Sequence, residues 1–266
     1  MSKSPETNPP KKLKPLQQPQ QSSSQTKLTK HSFLEILALP VFVGVILYAS
    51  QYLVVYPLYF FLGREPLTTT LGTAVLNALV YVLSLSLVLL LPRKFFPKWR
   101  TSREELGLKG LPTWADLGLA PVGFLVYFLL AMLLVAVFSL FPFFDPSEAQ
   151  ETGFSILATG FDKILGFLAL VVLPAVFEEV IFRGWLYGKL RAKIPGKFSL
   201  LLSVLITSVL FGLLHGQWNV GVNVFAMSLV LCALREITGT IYAGILLHML
   251  KNALAFALLY IFNFMI

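Results

Sequence analysis

What most limits the folds open to this chain is its succession of long apolar runs. A helix needs about 20 mostly apolar residues to cross a bilayer core, and several runs reach or pass that length. A soluble all-α core would show polar faces along its helices, and these runs lack them. A membrane β-barrel would alternate polar and apolar residues at every second position, which "SLSLVLLLP" and "LGFLALVVLP" do not do. Composition agrees. Of 266 residues, 56% are hydrophobic and 13% charged, where a soluble domain carries about a quarter charged. Mean hydropathy is +0.77. The fold class that follows is all-α, a polytopic membrane bundle of about seven transmembrane helices around a buried polar cavity. The spans read as 33–56, 70–92, 116–142, 163–190, 198–217, 219–234 and 240–264, the sixth being short for a full crossing.

Residues 1–31 differ sharply, with Pro, Gln, Ser and Lys in "SPETNPPKKLKPLQQPQQSSSQTKLTK". Such a segment cannot bury a core and is expected to be a disordered tail, with residues 32–266 forming the membrane domain. The net charge of +8 reads as topology. Basic residues flank the apolar runs rather than forming one stripe, so nucleic acid is not an expected partner and the lipid bilayer is. Lys27 and Lys30 precede the first span. Arg93, Lys94, Lys98, Arg100, Arg103 and Lys109 follow the second, and Lys189, Arg191, Lys193 and Lys197 follow the fourth. The loop at 143–162 carries Asp145, Glu148, Glu151 and Asp162 with no Lys or Arg. The positive-inside rule then predicts a multi-pass protein with a cytoplasmic N-terminus. The segment 102–115 is expected to lie on the cytoplasmic membrane surface. The one cysteine, Cys232, lies in an apolar run and reads as a packing residue.

Ionisable side chains inside spans are functional candidates by default. Glu178, Glu179 and Arg183 sit in "VFEEVIFRGW". Glu179 and Arg183 are four apart and share a helix face in the favourable acid-first order, so they are expected to neutralise each other. Glu178 points about 100° away without such a local partner, in the kind of apolar setting that suits a general base. Pro174 predicts a kink or break just before it. His215 lies in "FGLLHG", between Gly212 and Gly216, a small-residue spacing that lets another helix approach. His248 and Asn252, in "HMLKN", are also four apart, and two such groups on one face can donate to a developing oxyanion. Lys251 is expected on another face. Asn77, Gln217, Asn219, Asn223, Arg235 and Glu236 read as loop, cap or interhelical hydrogen-bond residues. Straight-helix arithmetic puts Glu178 about 20 Å and His215 about 27 Å from the cytoplasmic marks. Convergence in the cytoplasmic half or near the midplane therefore needs tilt or a kink.

In that order and on successive spans, "EEVIFR", "FGLLH" and "HMLKN" resemble the EExxxR, FxxxH and HxxxN motifs of the CPBP family of intramembrane proteases, which includes the type II CAAX prenyl endopeptidases. The context "PAVFEEVIFRG" is also similar, and the similarity covers about residues 105–264. The resemblance implies an intramembrane endopeptidase acting near the C-terminus of prenylated CAAX-type or other membrane-bound peptides. It implies that Glu178 is the catalytic glutamate, that His215 helps it activate water, that His248 and Asn252 hold the oxyanion, and that Glu179 and Arg183 support the site. It leaves metal use open. Glu178, His215 and His248 could bind Zn²⁺, but no HExxH is present, and a glutamate-activated water needs no cofactor. A non-catalytic scaffold of the same family and a small proton-coupled transporter remain as alternatives.

Overall fold

The computed structural model describes residues 30–148, 150, 152–154 and 157–262. The expected tail up to residue 29, Glu151 of the acidic loop, and the end of the seventh span at 263–264 lie outside the described residues. Within them the chain is helical with no strand. The helices are α1 (Lys30–Leu62), α2 (Thr70–Phe95), α3 (Trp114–Phe138), α4 (Gly160–Lys193), α5 (Ser199–Leu213), α6 (Trp218–Thr238) and α7 (Tyr242–Ile261). Six of them are long and apolar enough to cross a membrane, and α5 is the shorter one.

The fifth helix, not the sixth, is therefore the short one, and the reason lies in two glycines. Gly216 adopts φ +75° just after α5, and Gly239 adopts φ +70° just after α6, a region that costs other residues a steric penalty. The first ends α5 after 15 residues; the second lets α6 run to 21. Polar caps set other starts. Thr113 with Asp116 and Thr159 with Asp162 form reciprocal capping boxes at α3 and α4, satisfying otherwise orphaned N–H groups.

Helix α4 is irregular, as Pro174 predicts. A π turn at Leu168–Val172 precedes the proline, and a longer π stretch runs from Glu179 to Tyr187. Such widened turns recur at functional sites. The second stretch is the centre of the bundle: all nine of its residues are buried, and Trp185, Leu186 and Ile181 pack there with Leu39, Val43, Met227 and Leu231. By contrast Leu125, Leu129 and Met132 of α3 and Leu200 and Leu201 of α5 are exposed, as lipid-facing residues are.

The basic segments gather at one end. Lys98 and Lys193 both pair with Glu35 at the start of α1, at 3.7 and 2.7 Å. Lys189 pairs with Glu105 at 3.3 Å, and Arg191 with Glu236 at 2.8 Å. Part of the segment 102–115 is docked onto the bundle. Gly107 and Gly110, both at positive φ, fold it back, and Leu106 is buried against Gly184, where a Cβ would stand 3.0 Å from the Leu106 carbonyl oxygen. Of its large apolar side chains, Leu111 and Trp114 remain widely exposed, at 83% and 88%. At the opposite end the acidic loop meets the turn between α5 and α6, where Asn219 Nδ2 donates to the Glu148 carbonyl at 2.5 Å. Gly212 does allow close packing, but its partner is Gly221: a Cβ on Gly212 would come 2.9 Å from the Gly221 carbonyl oxygen. Gly216 serves the turn instead.

Candidate active site

The irregular α4, the turn after α5 and the middle of α7 bring Glu178, His215, His248 and Asn252 to one cavity of about 260 Å³. The depths that straight helices kept apart meet because α5 stops at Leu213. His215 then sits in a turn, its Nδ1 2.8 Å from the Phe211 carbonyl, rather than further along a helix. A second cavity of about 630 Å³ lies between α1, α2, α4 and the end of α5, and shares Asn77, Tyr81, Glu178 and His215 with the first. Gln150 and Thr152 line the first cavity and Gly153 the second, while no residue of the basic loops lines either. The site is therefore approached from the acidic-loop end, not from the end carrying the basic segments.

Glu179 and Arg183 form the expected pair. Arg183 Nη1 donates to Glu179 Oε1 at 3.0 Å, and both side chains are 0% exposed. The guanidinium also lies over the Phe211 ring, 4.4 Å from its centroid, a cation–π contact of the kind that gains strength when desolvated. The pair does more than neutralise itself. His248 Nδ1 lies 3.1 Å from the same Glu179 Oε1, and a salt-bridged carboxylate only accepts, so Nδ1 carries a proton and Nε2 is left to face the cavity. Nε2 stands 4.0 Å from Glu178 Oε2. Gly244 makes this approach of α7 possible: a Cβ there would sit 3.1 Å from Glu179 Oε2. The chain Arg183–Glu179–His248 thus orients an imidazole as a buried acid orients the histidine of a hydrolase triad.

Glu178 is not alone either. The Tyr81 hydroxyl donates to its Oε1 at 2.9 Å, and the Tyr81 ring lies against Phe177 with centroids 5.7 Å apart. Sequence reasoning missed Tyr81. A signal existed: Asn77, Tyr81 and Ser84 follow the spacing of one helix face, and all three line the second cavity. Lys251 also differs from expectation. It lines the first cavity with His248 and Asn252, because three residues advance about 300° around a helix, only some 60° short of a full turn.

Of the remaining polar residues, Asn223 accepts from the Tyr127 hydroxyl at 2.7 Å, and Glu236 accepts from the Tyr187 hydroxyl at 2.6 Å. Both are interhelical hydrogen bonds of the expected kind. Cys232 is buried, as expected. Among the described residues no group of three or more His, Cys, Asp and Glu is arranged to hold a metal ion.

Residues 160–254 match the family model described as type II CAAX prenyl endopeptidase Rce1-like. Over that stretch the chain is similar to this family. The matched stretch runs from the start of α4 into α7, narrower than the 105–264 expected from the motifs, and it contains Glu178, Glu179, Arg183, His215, His248 and Asn252. Tyr81 and Asn77 fall outside it. No curated protein and no solved structure matches the chain. The matched stretch is thus similar to a family of CAAX-type proteases, and with its six apolar helices the chain is a multi-pass membrane protein.

Proposed function

We propose that this protein hydrolyses a peptide bond near the C-terminus of prenylated CAAX-type or other membrane-associated peptides, using water activated by Glu178. The observation that supports this most is the pairing of Glu178 with an oriented histidine: His248 Nε2, held by Glu179, faces Glu178 across 4.0 Å in a cavity also lined by His215 and Asn252. Glu178 takes a proton from water, which His215 helps to place, and the hydroxide attacks the scissile carbonyl carbon. As its imidazolium, His248 donates Nε2–H to the oxyanion together with the Asn252 amide. The C–N bond then breaks as Glu178 returns its proton to the leaving amine, giving a carboxylate and an amine. Tyr81 holds Glu178 in place throughout. No metal is required in this scheme.

The basic end is proposed as cytoplasmic. The cavities then face the other side, which favours peptides presented there or within the bilayer over tails confined to the cytosol. The test is purified protein in liposomes, given a library of prenylated and unmodified membrane peptides, with cleavage read by mass spectrometry. Cleavage is expected and should survive chelators. Failure to cleave any peptide would favour a scaffold or a transporter. Inhibition by chelators that Zn²⁺ reverses would overturn the metal-free scheme.

A further inference from the structure

The basic end of the bundle carries charges of two kinds. Many are tied: Lys98 and Lys193 pair with Glu35, Lys189 with Glu105, and Arg191 with Glu236. Arg235 Nη2 donates to the Glu105 carbonyl at 2.9 Å. Arg103 and Lys109 are different. Both side chains are exposed, and among the described residues neither takes part in a hydrogen bond, an ion pair or a ring contact. Yet they line one open hollow of about 490 Å³, together with Glu104, Leu108 and Gly110. The two cations there outnumber the single carboxylate. The loop that carries them is held in place at both of its glycines. Ile241 N–H donates to the Gly107 carbonyl at 3.2 Å, and the Tyr242 hydroxyl donates to the Gly110 carbonyl at 2.9 Å. Leu108 N–H donates to the Arg103 carbonyl at 2.9 Å, which folds the Lys109 end of the loop back toward Arg103. Two untied cations on a fixed loop describe a site for an anion with several acceptor oxygens.

Depth in the membrane narrows the anion. Leu111 and Trp114 follow the hollow in sequence, and both are widely exposed. Trp114 opens the apolar helix α3, and a tryptophan at the end of a membrane span sits at the level of the lipid headgroups. The hollow therefore lies beside the lipid phosphates. The start of α3 does not itself supply the site, because Thr113 and Asp116 already cap it. The leaflet that the positive-inside rule assigns to this end is the one that carries anionic lipid. We propose that the hollow between Arg103 and Gly110 binds the phosphate headgroup of an anionic phospholipid, whose acyl chains run along Leu111 and Trp114. The site is separate from the cavity of Glu178 and stands whether or not the protease reading does.

The test uses the full chain in liposomes, with Trp218→Phe as the parent so that Trp114 is the exposed tryptophan; Trp99 and Trp185 are buried. Quenching of Trp114 by dibrominated phosphatidylglycerol is compared with quenching by dibrominated phosphatidylcholine across a titration. The parent should prefer the anionic lipid by roughly 5- to 30-fold, the scale of one to two basic groups at an anionic surface. Replacing both cations, Arg103→Gln with Lys109→Gln, should bring that ratio toward one. Lys94→Gln with Lys197→Gln removes the same charge from the same end, at lysines that lie over neighbouring phenylalanine rings, and should keep the ratio. Excess soluble glycerol phosphate should leave the lipid in place. A parent with no preference overturns the inference. So does an equal loss in the two double variants, which would mark a diffuse effect of net charge. Displacement by soluble glycerol phosphate also overturns it, since the site would then take a free phosphate ester instead of a lipid.

Discussion

Glu179 and Arg183 make a prediction that separates stability from catalysis. Both are fully buried and joined at 3.0 Å. Breaking a buried pair by removing one partner strands the other charge and costs about 3–5 kcal/mol, while replacing both by apolar groups is often neutral. Glu179→Gln and Arg183→Met should therefore each destabilise the bundle by about that amount. The double variant should be less destabilised than the sum by about 1–3 kcal/mol, as for groups in direct contact. The assay is reversible unfolding in mixed micelles followed by tryptophan fluorescence, since Trp185 is wholly buried two residues from Arg183. Additive costs would refute the coupling. The same double variant carries a second readout. His248 Nδ1 would then face a neutral amide in place of the carboxylate now at 3.1 Å, so activity should stay low even though part of the lost stability is recovered. A double variant with near wild-type activity would refute the positioning role of Glu179.

Two further outcomes follow from contacts outside the motifs. Tyr81→Phe removes the 2.9 Å hydrogen bond to Glu178 and should lower kcat by roughly 10-fold or more with little change in KM; an unchanged kcat in steady-state kinetics would show that Glu178 needs no such holder. At the basic end, the Ser102 backbone N–H, followed by the Thr101 hydroxyl and Lys189, holds the Glu105 carboxyl below its ordinary 4.5, with burial opposing. A depressed carboxyl contributes stability above its unfolded pKa and loses it as pH falls through the folded one. Docking of the 101–109 loop should thus weaken below about pH 4. Hydrogen exchange across that loop at pH 6 and pH 3 would measure it, and equal relative protection at both would contradict it. The effect is small, because Glu105 is 60% exposed and solvent screens its charge.

The parts of this molecule legible in its sequence are those governed by local spacing. Apolar runs located the helices to within a few residues, and four-residue spacing paired Glu179 with Arg183. The basic flanks identified segments that do gather at one end. What stayed hidden depends on where one helix meets another. His248 Nδ1 finds Glu179 across 69 residues, and Tyr81 finds Glu178 across 97; neither contact has a periodic signature. The shortening of α5 turned on the positive φ of Gly216, which sequence offers only as a preference. Lys251 was misplaced because it was read as lying on another face, while helix geometry already put it within about 60° of His248.

The central claim is that Glu178 activates the attacking water. Wild type and Glu178→Gln, reconstituted at equal amounts and shown to unfold alike, should be compared in single-turnover cleavage of one peptide that the wild type cuts. Loss of a general base predicts a rate roughly 10²–10⁴-fold lower for the variant. Equal rates would contradict the claim.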